Sequence, residues 1–173
     1  FINARQTLER FHNAQTGRGL MEYIQSEGAV QKLVPFKVDN RNLVNIDKSY
    51  DLLMHKYNYG NVSNPDVYYC HYTDRSMAGF RNPFIDLAKA LLINQDTVRA
   101  EAVAEKYFEA IPYNTGRWDR FYSIEMADVY IQTNPEKGEK IISELLNEYS
   151  LQNNYLKSGV QSGDAKDLQN LSE

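Results

Sequence analysis

The sequence predicts a mainly α fold of stacked α-α hairpins, capped at its N-terminal end by an irregular tyrosine-rich segment and a small mixed region. Three observations carry this. Apolar residues recur at three- and four-residue steps from residue 77 onward (Met77, Phe80, Phe84, Leu87, Ala88, Leu91), which is one stripe of a helix. The pattern returns after a displacement of 39 residues, Leu87-Ala88 falling on Met126-Ala127. Extended-type residues are confined to one short β-branched run, leaving room for at most one or two short strands.

Taken in order, residues 1–46 read as a mixed cap region. Ala4 to His12 carries Leu8 and Phe11 at helical spacing, and Leu20 to Ile24 begins a second short helical stretch. Gly28 is expected to end that stretch in the left-handed conformation. Val30 to Val38 reads as extended, and Pro35, which cannot donate to a ladder, makes any strand there an edge or an interrupted one. Asp39-Asn-Arg-Asn is turn chemistry. Residues 47–82 form a helix plus an irregular segment. Asp47 is the expected cap of a helix through about Tyr57, with Tyr50, Leu53, Met54 and Tyr57 on one face. Five of the 13 tyrosines then fall between 57 and 72 without helical or strand period, so this aromatic surface is expected to be buried.

Residues 83–150 carry two hairpins. Pro83 either kinks one long helix or marks the first turn of a new one, where a missing N–H costs nothing. Asn94-Gln-Asp-Thr is a tight connection with Asp96 as cap, and the next helix, expected to bury Val98, Ala102, Val103, Tyr107 and Phe108, closes at Ile111-Pro112. The displacement of 39 also places Leu91 on Tyr130, Ala102-Val103 on Ile141-Ile142 and Tyr107 on Leu146. Hairpins with matching small and large positions are what tetratricopeptide (TPR)-type units look like, so a right-handed TPR-like stack is expected. A hairpin cannot bury both faces alone, and two units fall below the usual minimum of about three. The tyrosine segment and the mixed region are therefore the expected cap. Residues 151–173 form a polar tail in which Leu151, Tyr155 and Leu156 suit a last helix and Ser158 to Glu173 a weak one.

At 173 residues, with 42% hydrophobic and 24% charged residues, the chain has the composition of one compact globular domain. Net charge is −4 with no basic block, which argues against nucleic acid as a partner. Apolar runs are too short for a membrane span. Phe1 follows no signal-peptide pattern, and the chain is expected to be part of something larger. The lone Cys70 excludes an internal disulfide and is expected to be a buried small hydrophobe.

No residue pattern declares a reaction. His12, His55 and His71 are scattered without metal-ligand spacing, so neither metal nor cofactor is expected. Glu101/Glu105 and Glu136/Glu139 read as solvated helix faces. Arg75 and Arg81 are expected to bond carbonyls of the irregular segment or to pair with Asp66, since arginine supplies five donors. Trp118 with Arg117 and Arg120 reads as a helix-start anchor or a second aromatic–basic cluster. Asp96-Thr97-Val98 fits a short O-glycosylation acceptor pattern, but Asp96 already has a capping role.

The stretch Glu22-Tyr-Ile-Gln-Ser-Glu-Gly-Ala, Lys32-Leu-Val-Pro, then Asp47, Tyr50, Leu53, Met54, Tyr57, Tyr59-Gly-Asn, Asn64-Pro-Asp-Val-Tyr, Arg75, Phe80-Arg-Asn-Pro-Phe and Leu87-Ala88 resembles a known family. It is similar to the C-terminal region of large Bacteroidetes multi-pass membrane proteins related to protein O-mannosyltransferases. The resemblance spans roughly residues 20 to 150 and departs at both ends. It implies a domain on the periplasmic side of the inner membrane, belonging to a membrane glycosyltransferase whose catalytic carboxylates lie in the membrane part. No catalytic residue carries over onto this chain. The signature positions Gly60, Asp66, Tyr68, Arg75, Arg81 and Phe84 read as structural.

The expected function is that of a non-catalytic accessory domain holding an extended peptide, an acceptor protein or its own membrane module. The expected contacts are Asn82, Asp86, Lys89, Arg120 and Glu125, lining a groove between the helices starting near Phe84 and Phe121. The alternatives are a purely structural spacer, or a self-standing periplasmic enzyme with a cleft around Asp66, His71 and Arg75.

Overall fold

A computed structural model describes residues 20–39, 41–64, 66–70, 72–73, 79–112 and 119–161. The protein is mainly helical, with a small two-stranded antiparallel sheet near the N-terminus. The elements are β1 (Ile24–Glu27), β2 (Val30–Leu33), α1 (Ile46–Asp51), α2 (Asn82–Ile93), α3 (Thr97–Ala110), α4 (Asp119–Thr133) and α5 (Pro135–Gln161). The expected helix over Ala4 to His12, and Met77 in the apolar stripe, lie outside the described residues.

A 3-10 turn over Leu20–Tyr23 leads straight into β1, and Gly28 serves a hairpin turn rather than a helix end. Its φ of +58° is the left-handed conformation, and a Cβ there would meet the Tyr57 hydroxyl at 2.6 Å. The turn is docked onto α1: the Gly28 N–H donates to Ser49 Oγ (2.9 Å), and the Ala29 N–H to the Tyr57 hydroxyl (3.2 Å). β2 ends at Leu33, two residues before Pro35, so the extended run is interrupted there. Asp39 Oδ1 accepts from the Arg41 and Asn42 amides, as turn chemistry predicts.

Asn45, and not Asp47, caps α1, its side chain accepting from the Lys48 N–H. Asn45 has the extended backbone a cap needs. Asp47 lies inside the first turn with its carboxylate turned to Arg99 Nη1 at 2.9 Å. The helix continues as a π-helical turn, Leu52–Lys56, stopping one residue short of Tyr57.

In the hairpin region α2 packs on α3, α3 on α4, α4 on α5, and α2 on α4. Pro83 sits in the first turn of α2, and Asp96 caps α3 by accepting the Arg99 N–H. Phe84, Leu87, Ala88 and Leu91 are buried as the stripe predicts, whereas Phe80 is exposed. The buried face of α3 is Ala100, Val103, Ala104, Tyr107 and Ala110. Val98 projects into solvent, because it stands two positions before that face begins.

The internal repeat changes register partway through. Leu87, Ala88 and Leu91 match Met126, Ala127 and Tyr130, all buried, at a displacement of 39. The second helices match at 38: cap Asp96 with Asn134, Ala100 with Gly138, and Tyr107 with Leu145. Tyr107 therefore does not correspond to Leu146, which is exposed. The first connection contains Gln95 at φ +60°, and the second lacks a counterpart. α5 runs unbroken to Gln161, with Leu151 and Tyr155 exposed along it rather than packed as a separate last helix.

Gly138 of α5 lies tight against α4: a Cβ there would stand 2.8 Å from the Ile131 backbone nitrogen. Backbone cannot rotate away as a side chain can. Gly138→Val should lower the unfolding free energy by about 1–3 kcal/mol in urea denaturation. Gly60→Ala should cost less, because nothing lies within 4 Å of its added Cβ and only its positive φ resists.

Candidate functional site

The interior is organised around Arg81. It immediately precedes α2 and is fully buried. Its Nη1 donates to the Ile111 carbonyl (3.0 Å) and the Tyr107 hydroxyl (3.3 Å), and its guanidinium carbon stands 5.6 Å from the Tyr107 ring centre. The carbonyl it binds thus lies just past the end of α3, where helix carbonyls lack partners and a cation is favoured. Asp66 is exposed, and its amide donates to Asn64 Oδ1.

From Tyr107 an aromatic ladder crosses the molecule. Tyr59 meets Phe84 (5.6 Å between centroids), Phe84 meets Tyr107 (5.9 Å), Tyr107 meets Phe108 (4.9 Å), and Phe108 stacks on Tyr130 (5.8 Å). The capping role of the tyrosine segment is thus carried by Tyr57, Tyr59 and Val62, which pack against the core. Tyr59 also donates to the Leu53 carbonyl at 2.7 Å. Other residues of that segment depart from expectation: Tyr68 is 90% exposed, and Tyr72 and Cys70 are exposed too, whereas Tyr69 is half-buried. Thr73 lowers the Cys70 thiol through a hydrogen bond.

Three of the expected contact residues share one face of α2, and a fourth reaches it from α4. Asn82, Asp86 and Lys89 recur at four- and three-residue steps along the exposed side of α2. Lys89 Nζ reaches Glu125 Oε2 on α4 at 2.6 Å. The structure therefore brings Lys89 and Glu125 together and keeps Asn82 and Asp86 on the same stripe. Arg120 lies in the first turn of α4, its side chain outside the described set. Gly60 adopts φ +61°, and Phe84 is buried, both as structural residues. Arg75, His71, Trp118 and Arg117 lie outside the described residues.

Two ion clusters were not legible as such in the sequence. Arg99 joins Asp96 on its own helix to Asp47 on α1 and lies over the Tyr50 ring (5.7 Å). Lys137 joins Glu101 (3.0 Å) and Glu105 (2.5 Å) of α3 and lies near the Tyr130 ring (5.8 Å). Both carboxylates raise the Lys137 amine, and Asn134 together with Lys137 lowers the Glu101 carboxyl. Arg99 and Lys137 are repeat counterparts at displacement 38, the signal that would have revealed them.

Among the described residues, no group of three or more His, Cys, Asp and Glu side chains is placed to hold a metal ion, and no helix is long and apolar enough to cross a membrane. No protein-family model, curated protein or solved structure matches the chain.

Replacing Arg81 strips donors from the buried Ile111 carbonyl and the Tyr107 hydroxyl and leaves a cavity. Arg81→Ala should cost about 3 kcal/mol by chemical denaturation. Arg81→Lys should recover only part of it, lacking the planar fork.

Tyr130 supplies a pH dependence. Burial, with the Glu105 carboxylate adding to it, pushes the phenol up to about 12 from 10.0. The fold favours the neutral form, so the linked stability is complete below 10.0 and is lost as pH rises through about 12. Unfolding midpoints measured across that window should fall less steeply in Tyr130→Phe.

Proposed function

We infer that this protein is a non-catalytic binding module that holds an extended peptide or protein segment along the exposed α2–α4 face. The observation that carries the reading is the Asn82–Asp86–Lys89 stripe, extended onto α4 by the Lys89–Glu125 pair. These polar groups stand on helices whose opposite sides are locked into the core, so they are presented with little conformational freedom to lose. Neutral donors and acceptors beside paired charges suit the alternating polar groups of an extended backbone.

The sequence resemblance supports a setting for this module: an accessory domain on the periplasmic side of a membrane O-mannosyltransferase-like glycosyltransferase, where acceptor polypeptide or the membrane module would be the partner. The mutual satisfaction of Lys89 and Glu125 favours a second reading, a structural spacer whose face is already closed.

Selection of a random-peptide display library against the folded domain separates the two. Binders should shift backbone amide resonances over 82–93 and 119–133. Asn82→Ala with Lys89→Ala should weaken them about tenfold, roughly 1.4 kcal/mol, with the thermal midpoint nearly unchanged, since exposed ion pairs contribute little stability. An absence of binders, or a footprint elsewhere, would leave the spacer.

A further inference from the structure

Two ion pairs tie later helices to earlier ones. Arg99 of α3 reaches Asp47 of α1. Lys137 of α5 reaches Glu101 and Glu105 of α3. Arg99 and Lys137 occupy the same repeat position, and each carries a cation to carboxylate on an earlier helix.

The receiving surface of the first hairpin has a copy in the second. Ile85, Lys89 and Leu92 share one stripe of α2 at i, i+4 and i+7, and the Lys89–Glu125 pair shows that this stripe faces α4. Ile85 is accordingly 3% exposed. At displacement 39 its counterparts on α4 are Ile124, Asp128 and Ile131, and here both isoleucines are open, at 46% and 40%. On the second helices, Phe108 is covered by stacking on Tyr130, while its counterpart Leu146 is 63% exposed. Glu101 is engaged by Lys137, while its counterpart Glu139 makes no ion pair among the described residues.

We propose that the α4–α5 face is a docking surface for a basic amphipathic helix of a partner polypeptide, which stacks on Ile124, Ile131 and Leu146 and brings cations to Asp128 and Glu139. The apolar side chains supply the burial, and the carboxylates set the partner's sign. Where α2 offers Lys89 to a carboxylate on α4, α4 offers Asp128, currently bonded to Gln132 at 3.0 Å. The mate must therefore carry a base.

A second copy of the chain and residues 162–173 both fit this surface poorly. Two copies meeting through this face would set Asp128 and Glu139 against their own kind. Head-to-tail stacking of copies is obstructed, because α1 packs on α2 and Tyr59 covers Phe84. Residues 162–173 carry Asp164, Asp167 and Glu173 against Lys166, the wrong balance for this surface.

The test uses the whole chain and two synthetic helical peptides with identical apolar stripes, one flanked by lysines and the other by glutamates, followed by fluorescence anisotropy. The lysine peptide should bind at least about tenfold more tightly than its glutamate counterpart, a preference that salt weakens. Ile124→Ser with Leu146→Ser should abolish binding without altering the far-ultraviolet circular dichroism. Asp128→Lys with Glu139→Lys should invert the preference. Equal binding of both peptides, binding of neither, or sedimentation of the protein as a dimer that Leu146→Ser dissociates would overturn the proposal.

Discussion

The buried guanidinium of Arg81 is the constraint on which the rest depends. Desolvating a cation is expensive, and the cost is offset only where fixed acceptors surround it. Here the Ile111 carbonyl and the Tyr107 hydroxyl are among its acceptors, so the start of α2 is tied to the end of α3. That tie orients Tyr107, and Tyr107 is the middle rung of the aromatic ladder from Tyr59 to Tyr130. One polar contact thereby sets the register of the cap, both helices of the first hairpin and the opening helix of the second.

Around this centre the layers are joined at their edges by ion pairs and in their middles by packing. Each fully buried leucine or phenylalanine contributes about 1.5–3 kcal/mol, whereas exposed pairs such as Lys89–Glu125 contribute far less. The pairs choose which helix lies beside which; the apolar stripes hold them there. A layered stack built this way ends in an unfinished layer on one side unless something covers it. At the N-terminal side α1, Tyr57 and Tyr59 do so. On the far side the isoleucines of α4 and Leu146 of α5 remain open, matched by carboxylates.

Much of the fold was legible because its signals are local. The 3.6-residue stripe of α2, the proline in its first turn and the Asp96 cap depend only on near neighbours in the chain. The candidate face was legible in part for the same reason: Asn82, Asp86 and Lys89 share a side of any helix. Less was legible where two residues of similar chemistry compete. Asn45 and Asp47 both suit a cap, and the choice falls to Asn45, whose amide donates to the Ser26 carbonyl and whose side chain donates to Glu27, 18 positions away. Tyr68 and Tyr59 are equally aromatic, yet only Tyr59 meets Phe84.

By itself the sequence determined the helical class, the two hairpins and the absence of any recognisable catalytic pattern, because periodicity and composition are properties of the chain alone. The tertiary structure decided where Arg81 goes, which tyrosines are covered and that the repeat slips from 39 to 38. A buried cation is placed by whichever distant carbonyl lacks a donor, and a one-residue change in a turn rotates a whole helix by about 100°. Neither consequence is visible until the helices are packed.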